Sequence, residues 1–150
     1  MEVESVSLDK ETSLPFVRLR EKNGDKTMPI WIGLLEASAI ATELEGVRLT
    51  RPLTHDLILS MLVEMDSNVE KVEINNLKDN VYYASIFIKQ GDSIIEVDSR
   101  PSDAIAISLK AGIDIFVEED IIKEAQTLTP HSSDVKLEDI PVEGYGKYKM

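Results

Sequence analysis

The sequence contains no cysteine and only two histidines among its 150 residues. Without cysteine the chain forms neither disulfides nor thiolate metal sites, and His55 and His131 are too few for a histidine-rich zinc site. We therefore expect any bound metal to be held mainly by carboxylates.

Long hydrophobic runs are also missing from the sequence. No window of about 18 apolar residues occurs, and the first residues, Met1-Glu2-Val3-Glu4, are acidic. We therefore expect neither a membrane span nor a secretory signal. Together these features predict a cytoplasmic protein with no membrane partner.

Positive charge is scarce as well. Lys and Arg number 16 against 28 Asp and Glu, which gives a net charge of −12. Proteins that hold nucleic acid usually neutralise phosphates with clustered basic residues, whereas the basic residues here are scattered. The densest groups are 18–22 and the pair Arg48 and Arg51. We expect weak nucleic-acid binding unless these groups form a local positive patch, or divalent cations bridge carboxylates to phosphates.

Several catalytic signatures are absent. The sequence has no GxxxxGK[ST], GxGxxG, HExxH or GxSxG pattern and no Cys-His arrangement. These absences argue against an NTPase, a dinucleotide-binding enzyme, a zinc protease and an esterase.

The feature that most informs the organisation of the chain is an internal repeat. Aligning Gly24 with Gly91 gives an offset of 67 (91 − 24), at which apolar positions coincide. Each half, about 1–50 and 69–118, has the pattern of strand, hairpin, strand, helix and short strand. The sequence therefore predicts an α+β fold of internally duplicated β-β-β-α units, with sheets packed around Ala/Ile-rich helices.

We expect one domain over residues 1–127 and a loosely ordered tail over 128–150, where Pro and Gly break any periodicity. Four helices are predicted in this domain. They run from Leu34 to Glu45, over about 54–65 between the repeats, from Pro101 to Ala111, and from Glu118 to Ala125. In the linking helix Thr54 is the expected N-cap. The expected apolar stripe of that helix is Leu57, Ile58, Met61 and Leu62.

Three charged residues are close together in the stretch that joins the last long strand to the helix of the second repeat. Asp98 precedes the junction, Arg100 stands just outside the helix, Pro101 begins it and Asp103 lies in its first turn. A helix N-terminus favours anions, so Arg100 can meet a carboxylate or a phosphate there. The alternative is purely structural, with Asp103 complementing the helix dipole and Arg100 holding it in place.

A second junction has a similar order of residue types. Arg51 and Pro52 precede Thr54, His55 and Asp56 at the start of the linking helix. A His can act as general acid or base near neutral pH, but adjacent helical residues point about 100° apart, so His55 and Asp56 are not a preformed dyad. The alternative is that Arg-Pro only stops the chain before a helix and that His55 is a capping or surface residue.

Three motifs give the chain a family resemblance. They are Asp98-Ser99-Arg100-Pro101-Ser102-Asp103-Ala104-Ile105-Ala106, Pro29-Ile30-Trp31-Ile32-Gly33 with Glu36, Ala37 and Ile40, and Arg51-Pro52-Leu53-Thr54-His55-Asp56-Leu57. In this order they resemble the bifunctional nuclease domain family, over roughly Glu2 to Ala125. The resemblance implies cleavage of RNA and DNA by a compact α/β domain that tends to form homodimers. It supplies no list of catalytic residues.

For the nuclease activity that the resemblance implies, the chemistry would come from carboxylates that hold a divalent metal. Asp98 and Asp103, with Glu36 as the repeat equivalent of Asp103, are the predicted ligands of Mg²⁺ or Mn²⁺. The predicted catalytic residues are Asp103, Arg100, His55 and Asp56, and Arg51 and Arg100 are predicted to bind the nucleic-acid substrate. The alternative function is a non-catalytic oligomeric module that binds a small anionic ligand or a protein at the Arg-bearing helix N-termini.

Overall fold

The structure, a computed structural model, describes residues 1–128 and 135–136. The chain order of the elements is β-β-β-α-α-β-β-β-α-β-α-β, with one turn of 3₁₀ helix at Gln126–Leu128. The strands are β1 (Glu2–Leu8), β2 (Pro15–Arg20), β3 (Thr27–Trp31), β4 (Ser67–Lys78), β5 (Val81–Gln90), β6 (Ser93–Ser99), β7 (Ile115–Val117) and β8 (Val135–Lys136). The helices are α1 (Leu34–Leu44), α2 (Thr54–Glu64), α3 (Pro101–Ala111) and α4 (Glu119–Ala125).

Two four-stranded sheets carry the fold. Their strand orders are β3-β2-β1-β8 and β6-β5-β4-β7, and all pairs are antiparallel except β4 with β7. The β4–β5 hairpin turns through Asp79 and Asn80, both with positive φ (52° and 61°). A two-residue turn of this kind matches the twist of the strands, and Asp and Asn tolerate its left-handed conformation. The predicted α+β class is confirmed.

Both halves repeat the order of three antiparallel strands followed by a helix, and α1 packs against α3. The predicted short strand after the first helix is wrong, because residues 46–53 form no strand. The edge of β1 that such a strand would occupy pairs with β8 instead. Duplication of an ancestral unit stays a prediction.

The Ala/Ile-rich helix α3 is the centre of the core. Its residues from Ala104 to Ser108 are all buried, and the helix contacts α1, α2, β4 and β5. On α1 the fully buried residues are Ala37 and Ile40. Small side chains on both helices allow their backbones to approach closely.

Helix α2 differs from its prediction in two ways. Leu53, and not Thr54, is the N-cap residue, and its backbone N–H donates to Asp56 Oδ2 at 2.9 Å. The predicted apolar stripe is largely exposed at Leu57, Ile58 and Met61. The reason is that α2 packs mainly against α3 and β4, so the rest of its surface faces outward.

Two residues of the predicted tail, Val135 and Lys136, form β8 against Ser7 and Leu8. Residues 129–134 and 137–150, on which the rest of the tail prediction falls, lie outside the described residues. Within the described ranges, no helix combines the length and the apolar character needed to cross a membrane.

Candidate functional site

The junction between β6 and α3 forms as the sequence predicted. The strand ends at Ser99, Arg100 is the N-cap residue in extended conformation, and Pro101 is the first helical residue. Proline suits this position because its fixed φ is helical and its missing N–H would have no partner there. The backbone therefore holds Arg100 and Asp103 one turn apart at the start of α3.

Arg100 binds two carboxylates from two helices. Its Nε and Nη2 donate to Oδ2 and Oδ1 of Asp103 at 2.8 and 3.1 Å, a two-point contact. Its Nη1 donates to Glu36 Oε1 at 2.8 Å. A guanidinium has five N–H donors and these contacts use three, so two remain (5 − 3). Because the Arg100 side chain is 63% exposed, those donors are open to a ligand.

His55 joins the same cluster from a third helix. Its Nε2 lies 2.9 Å from Asp103 Oδ1, and its side chain is only 15% exposed. Glu36, His55 and Asp103 each stand in the first turn of α1, α2 and α3 respectively. The N-termini of three helices thus meet around one guanidinium, and their dipoles add positive potential at this point.

The charges of the cluster follow from these contacts. Burial alone would raise the pKa of Asp103, but hydrogen bonds from Arg100 and His55 outweigh it and hold that pKa below its usual range. The hydrogen bond to Asp103 raises the pKa of Arg100, with Glu36 contributing in the same direction. An ionised carboxylate only accepts hydrogen bonds, so His55 Nε2 carries the proton in the contact with Asp103.

Asp56 belongs to a different cluster from His55. This agrees with the prediction that the two residues form no dyad. It pairs with Lys110 Nζ at 2.9 Å, and Lys110 also donates to Glu43 Oε2 at 2.8 Å. The hydrogen bond from Lys110 is the main cause of the lowered pKa of Asp56. The Lys110 side chain is 8% exposed, so this cation is buried between two acids.

Lys110 and Glu43 were missed by the sequence reasoning. A usable signal existed, because the two residues are 67 positions apart, which is the repeat offset (110 − 43). In two similar helices that pack against each other, equivalent positions can meet, and opposite charges at equivalent positions then form a pair. The contact itself depends on how α1 crosses α3.

We call Glu36, His55, Arg100 and Asp103 the Arg100 cluster. Within the described residues, no hydrogen bond or ion pair joins Asp98 or Arg51 to it. Asp98 is an exposed residue of β6 opposite Ser85, on the rim of the groove that Arg100 also lines. Arg51 lines a separate groove with Lys110. No group of three His, Asp or Glu side chains that could hold a metal occurs within residues 1–128. Glu36, Asp98 and Asp103 as ligands of Mg²⁺ or Mn²⁺ therefore stay a prediction.

A groove of about 560 Å³ opens beside the cluster, between α2, α3 and the β5–β6 hairpin. One end is polar, with Asp98, Arg100 and Asp103, and the rest is apolar. The apolar lining includes Ile58, Leu62, Tyr83, Ile86, Ile88 and Val97. The Arg100 cluster thus lies at the polar end of a mainly apolar groove.

Comparison with known proteins decides the family. The sequence profile of the bifunctional nuclease domain matches residues 17–130. The chain belongs to the bifunctional nuclease domain family. All four members of the Arg100 cluster lie inside the matched range, so the cluster is part of the family's domain.

Similarity to individual proteins supports membership of the bifunctional nuclease domain family. An uncharacterized protein of Mycobacterium tuberculosis is 41% identical over 132 residues, which are 88% of this chain and 79% of that protein. Bifunctional nuclease 2 of rice is 30% identical over 111 residues, 71% of this chain and 34% of the plant protein. Bifunctional nuclease 1 of Arabidopsis thaliana is 24% identical over 109 residues, 70% and 34% of the two chains. The chain thus corresponds to about a third of each plant protein.

Proposed function

We propose that this chain is a nuclease that hydrolyses phosphodiester bonds in RNA and DNA at the cluster of Glu36, His55, Arg100 and Asp103. The observation that carries the proposal is the contact of His55 with a carboxylate that also holds an exposed arginine. Membership of the bifunctional nuclease domain family and the names of the plant relatives support it.

Each residue of the cluster has a chemical role in this proposal. Asp103 accepts the Nε2 proton of His55 and so leaves the lone pair of the neutral ring on Nδ1, which has no hydrogen-bond partner in the described part of the chain. Nδ1 then accepts the proton of a water whose oxygen attacks the phosphorus. The P–O bond to the leaving oxygen breaks, and that oxygen takes a proton from solvent water. The two free N–H groups of Arg100 bind the phosphate oxygens and stabilise the charge that develops on them. Glu36 positions the guanidinium.

The proposal is tested by cleavage of single- and double-stranded RNA and DNA with protein freed of contaminating nucleases. We expect Asp103→Asn and Arg100→Ala each to lower the cleavage rate at least about tenfold. Asp103→Asn removes the carboxylate that fixes the His55 proton on Nε2, and Arg100→Ala removes the N–H groups that bind the phosphate. Asp120→Asn is the matched control, since that carboxylate is 93% exposed and lies on α4. Parallel assays with Mg²⁺, with Mn²⁺ and with EDTA test the predicted cation separately.

Two outcomes contradict the proposal. If both variants cleave as fast as the parent, the site is misplaced. If the parent itself does not cleave any substrate, the chain is better described by the alternative function, a non-catalytic module that binds an anion or a protein.

We also propose that the chain forms a homodimer through the outer face of α2 and β6. Ile95 and Val97 share one face of β6 and are each 40% exposed or more, and β6 is the edge strand of its sheet. Leu57, Ile58 and Met61 add exposed apolar surface from α2. Contiguous apolar surface next to an unpaired strand edge is costly in water and is usually covered by a partner.

A further inference from the structure

A second groove lies on the other side of α2 and shares no lining residue with the one that leads to Arg100. It has a volume of about 460 Å³ and is enclosed by α1, α2, the end of α3 and the loop 46–53. Its charged lining residues are Arg48, Arg51, Lys110, Glu43 and Asp56. Three cations against two anions give these walls a net charge of +1 in a protein whose net charge is −12.

The two acids of this groove are already occupied. Lys110 holds Glu43 at 2.8 Å and Asp56 at 2.9 Å, and Asp56 also accepts the backbone N–H of Leu53. Burial alone would lower the pKa of Lys110, but the hydrogen bonds that it donates to these two acids outweigh burial and raise that pKa. Lys110 is therefore charged at neutral pH and keeps both carboxylates at the base of the groove.

The two arginines are left without an acid. No carboxylate within the described ranges lies within ion-pair distance of Arg48 or Arg51, although the chain has almost twice as many acids as bases. Other basic side chains have found such partners, including Arg20 with Glu2 and Lys123 with Asp120. Two exposed guanidinium groups three residues apart thus line one groove, and no group in residues 1–128 accepts a hydrogen bond from them.

We propose that this groove binds a phosphate group through Arg48 and Arg51, with the buried charge of Lys110 beneath it. A guanidinium fork matches the oxygen geometry of phosphate and binds it more specifically than a point charge does. The phosphate belongs either to a small phosphorylated molecule or to the backbone of a nucleic acid. In both cases phosphate binding in this groove does not require Arg100 or Asp103. The proposal can therefore be tested independently of nuclease activity.

The test is a pair of titrations of the full chain, one with inorganic pyrophosphate and one with a short oligothymidylate, at low ionic strength. The test variant is Arg48→Gln with Arg51→Gln. The control is Lys78→Gln with Lys89→Gln, which removes the same charge from exposed positions on β4 and β5. We expect the arginine variant to bind at least about tenfold more weakly than the parent, the equivalent of one lost charged hydrogen bond, and the lysine variant to stay within about twofold.

The two probes also separate the sources of the phosphate. Tighter binding of pyrophosphate than of the oligonucleotide supports a small phosphorylated ligand, and the reverse supports a nucleic-acid backbone. Equal weakening in both double variants would show that only net charge matters and would overturn the proposal, as would failure of the parent to bind either probe. Retained binding by Arg100→Ala separates this groove from the proposed nuclease site.

Discussion

At the scale of single residues, Arg100 does most to organise the candidate site. It is the N-cap residue of α3, yet its side chain reaches Glu36 on α1 as well as Asp103. Three of its N–H donors are thereby fixed while two stay open. An arginine held in this way binds a phosphate at a smaller cost in side-chain entropy than a free one does.

Asp103 makes folding stability depend on pH in a definite direction. Because its folded pKa is depressed, the ionised carboxylate stabilises the fold above its unfolded pKa of about 3.9, and this contribution is lost as the pH falls through the folded value. Asp103→Asn removes the titrating group. We expect the variant to be less stable than the parent by roughly 0.3–1 kcal/mol near pH 6, and the difference to shrink below about pH 4.

Chemical denaturation of both proteins across this pH range measures the difference. The exposed Asp120→Asn variant serves as the control and should follow the parent throughout. A stability gap between parent and Asp103→Asn that keeps its size in acid would argue against the ionised contacts with Arg100 and His55.

At the scale of elements, the N-terminus of α2 serves both sites. Adjacent residues in its first turn point in different directions, so His55 reaches Asp103 while Asp56 reaches Lys110. A single helix thereby fixes the relation between the Arg100 cluster and the groove of Arg48 and Arg51. A rotation or fraying of this turn would disturb both.

The cap of α2 gives a prediction at the same scale. Asp56 accepts the Leu53 N–H and pairs with Lys110, whereas Thr54 is the first helical residue and not the cap. We expect Asp56→Ala to destabilise the fold by about 1–3 kcal/mol, since it uncaps the helix and leaves a buried cation with one acid fewer. Thr54→Ala should cost less than about 0.5 kcal/mol.

Urea denaturation of the two alanine variants tests this difference. Equal losses of stability, or a larger loss for Thr54→Ala, would mean that the Thr54 hydroxyl caps α2, as the sequence pattern predicts.

At the scale of the whole molecule, acidity and exposed apolar surface are the two dominant features. The net charge of −12 repels nucleic acid, so a nuclease of this composition depends on local cation groups such as Arg100 and the Arg48–Arg51 pair. The apolar face of α2 and β6 lies beside the groove that leads to Arg100. A partner that covers this face would therefore shape access to the site.

The proposed dimer is tested on β6, where side chains alternate between the two faces of the sheet. Ile95 and Val97 share one face, and Ile94, with similar exposure (51% against 45% for Ile95), lies on the other. We expect Ile95→Lys with Val97→Lys to convert a dimer to a monomer in sedimentation analysis, because buried lysines at an interface are not compensated. Ile94→Lys should leave the dimer intact. A parent that sediments as a monomer at micromolar concentration would remove the proposal.

Local patterns in the sequence determined much of this protein. Hydrophobic periodicity, Pro101 and the glycines at 24 and 91 were enough to predict the repeated order of strands and helix and the junction at Arg100, because these features act over a few residues. They did not predict β8, and they predicted a short strand after α1 that does not form. The repeat also predicted that Glu36 and Asp103 occupy equivalent places. The sequence alone further suggested the family, through three motifs in order.

Only the tertiary structure decided which charged groups meet. His55 contacts Asp103 although the two residues are 48 positions apart, and Lys110 pairs with Asp56 and Glu43. Both sets of contacts depend on how three helices cross. The same crossings place Arg51 in a separate groove and turn the apolar stripe of α2 outward. Asp98 lines the same groove as Arg100 and Asp103. Periodicity tells which face of a helix is apolar, but packing between distant segments determines whether that face is buried and which side chains lie within hydrogen-bonding distance.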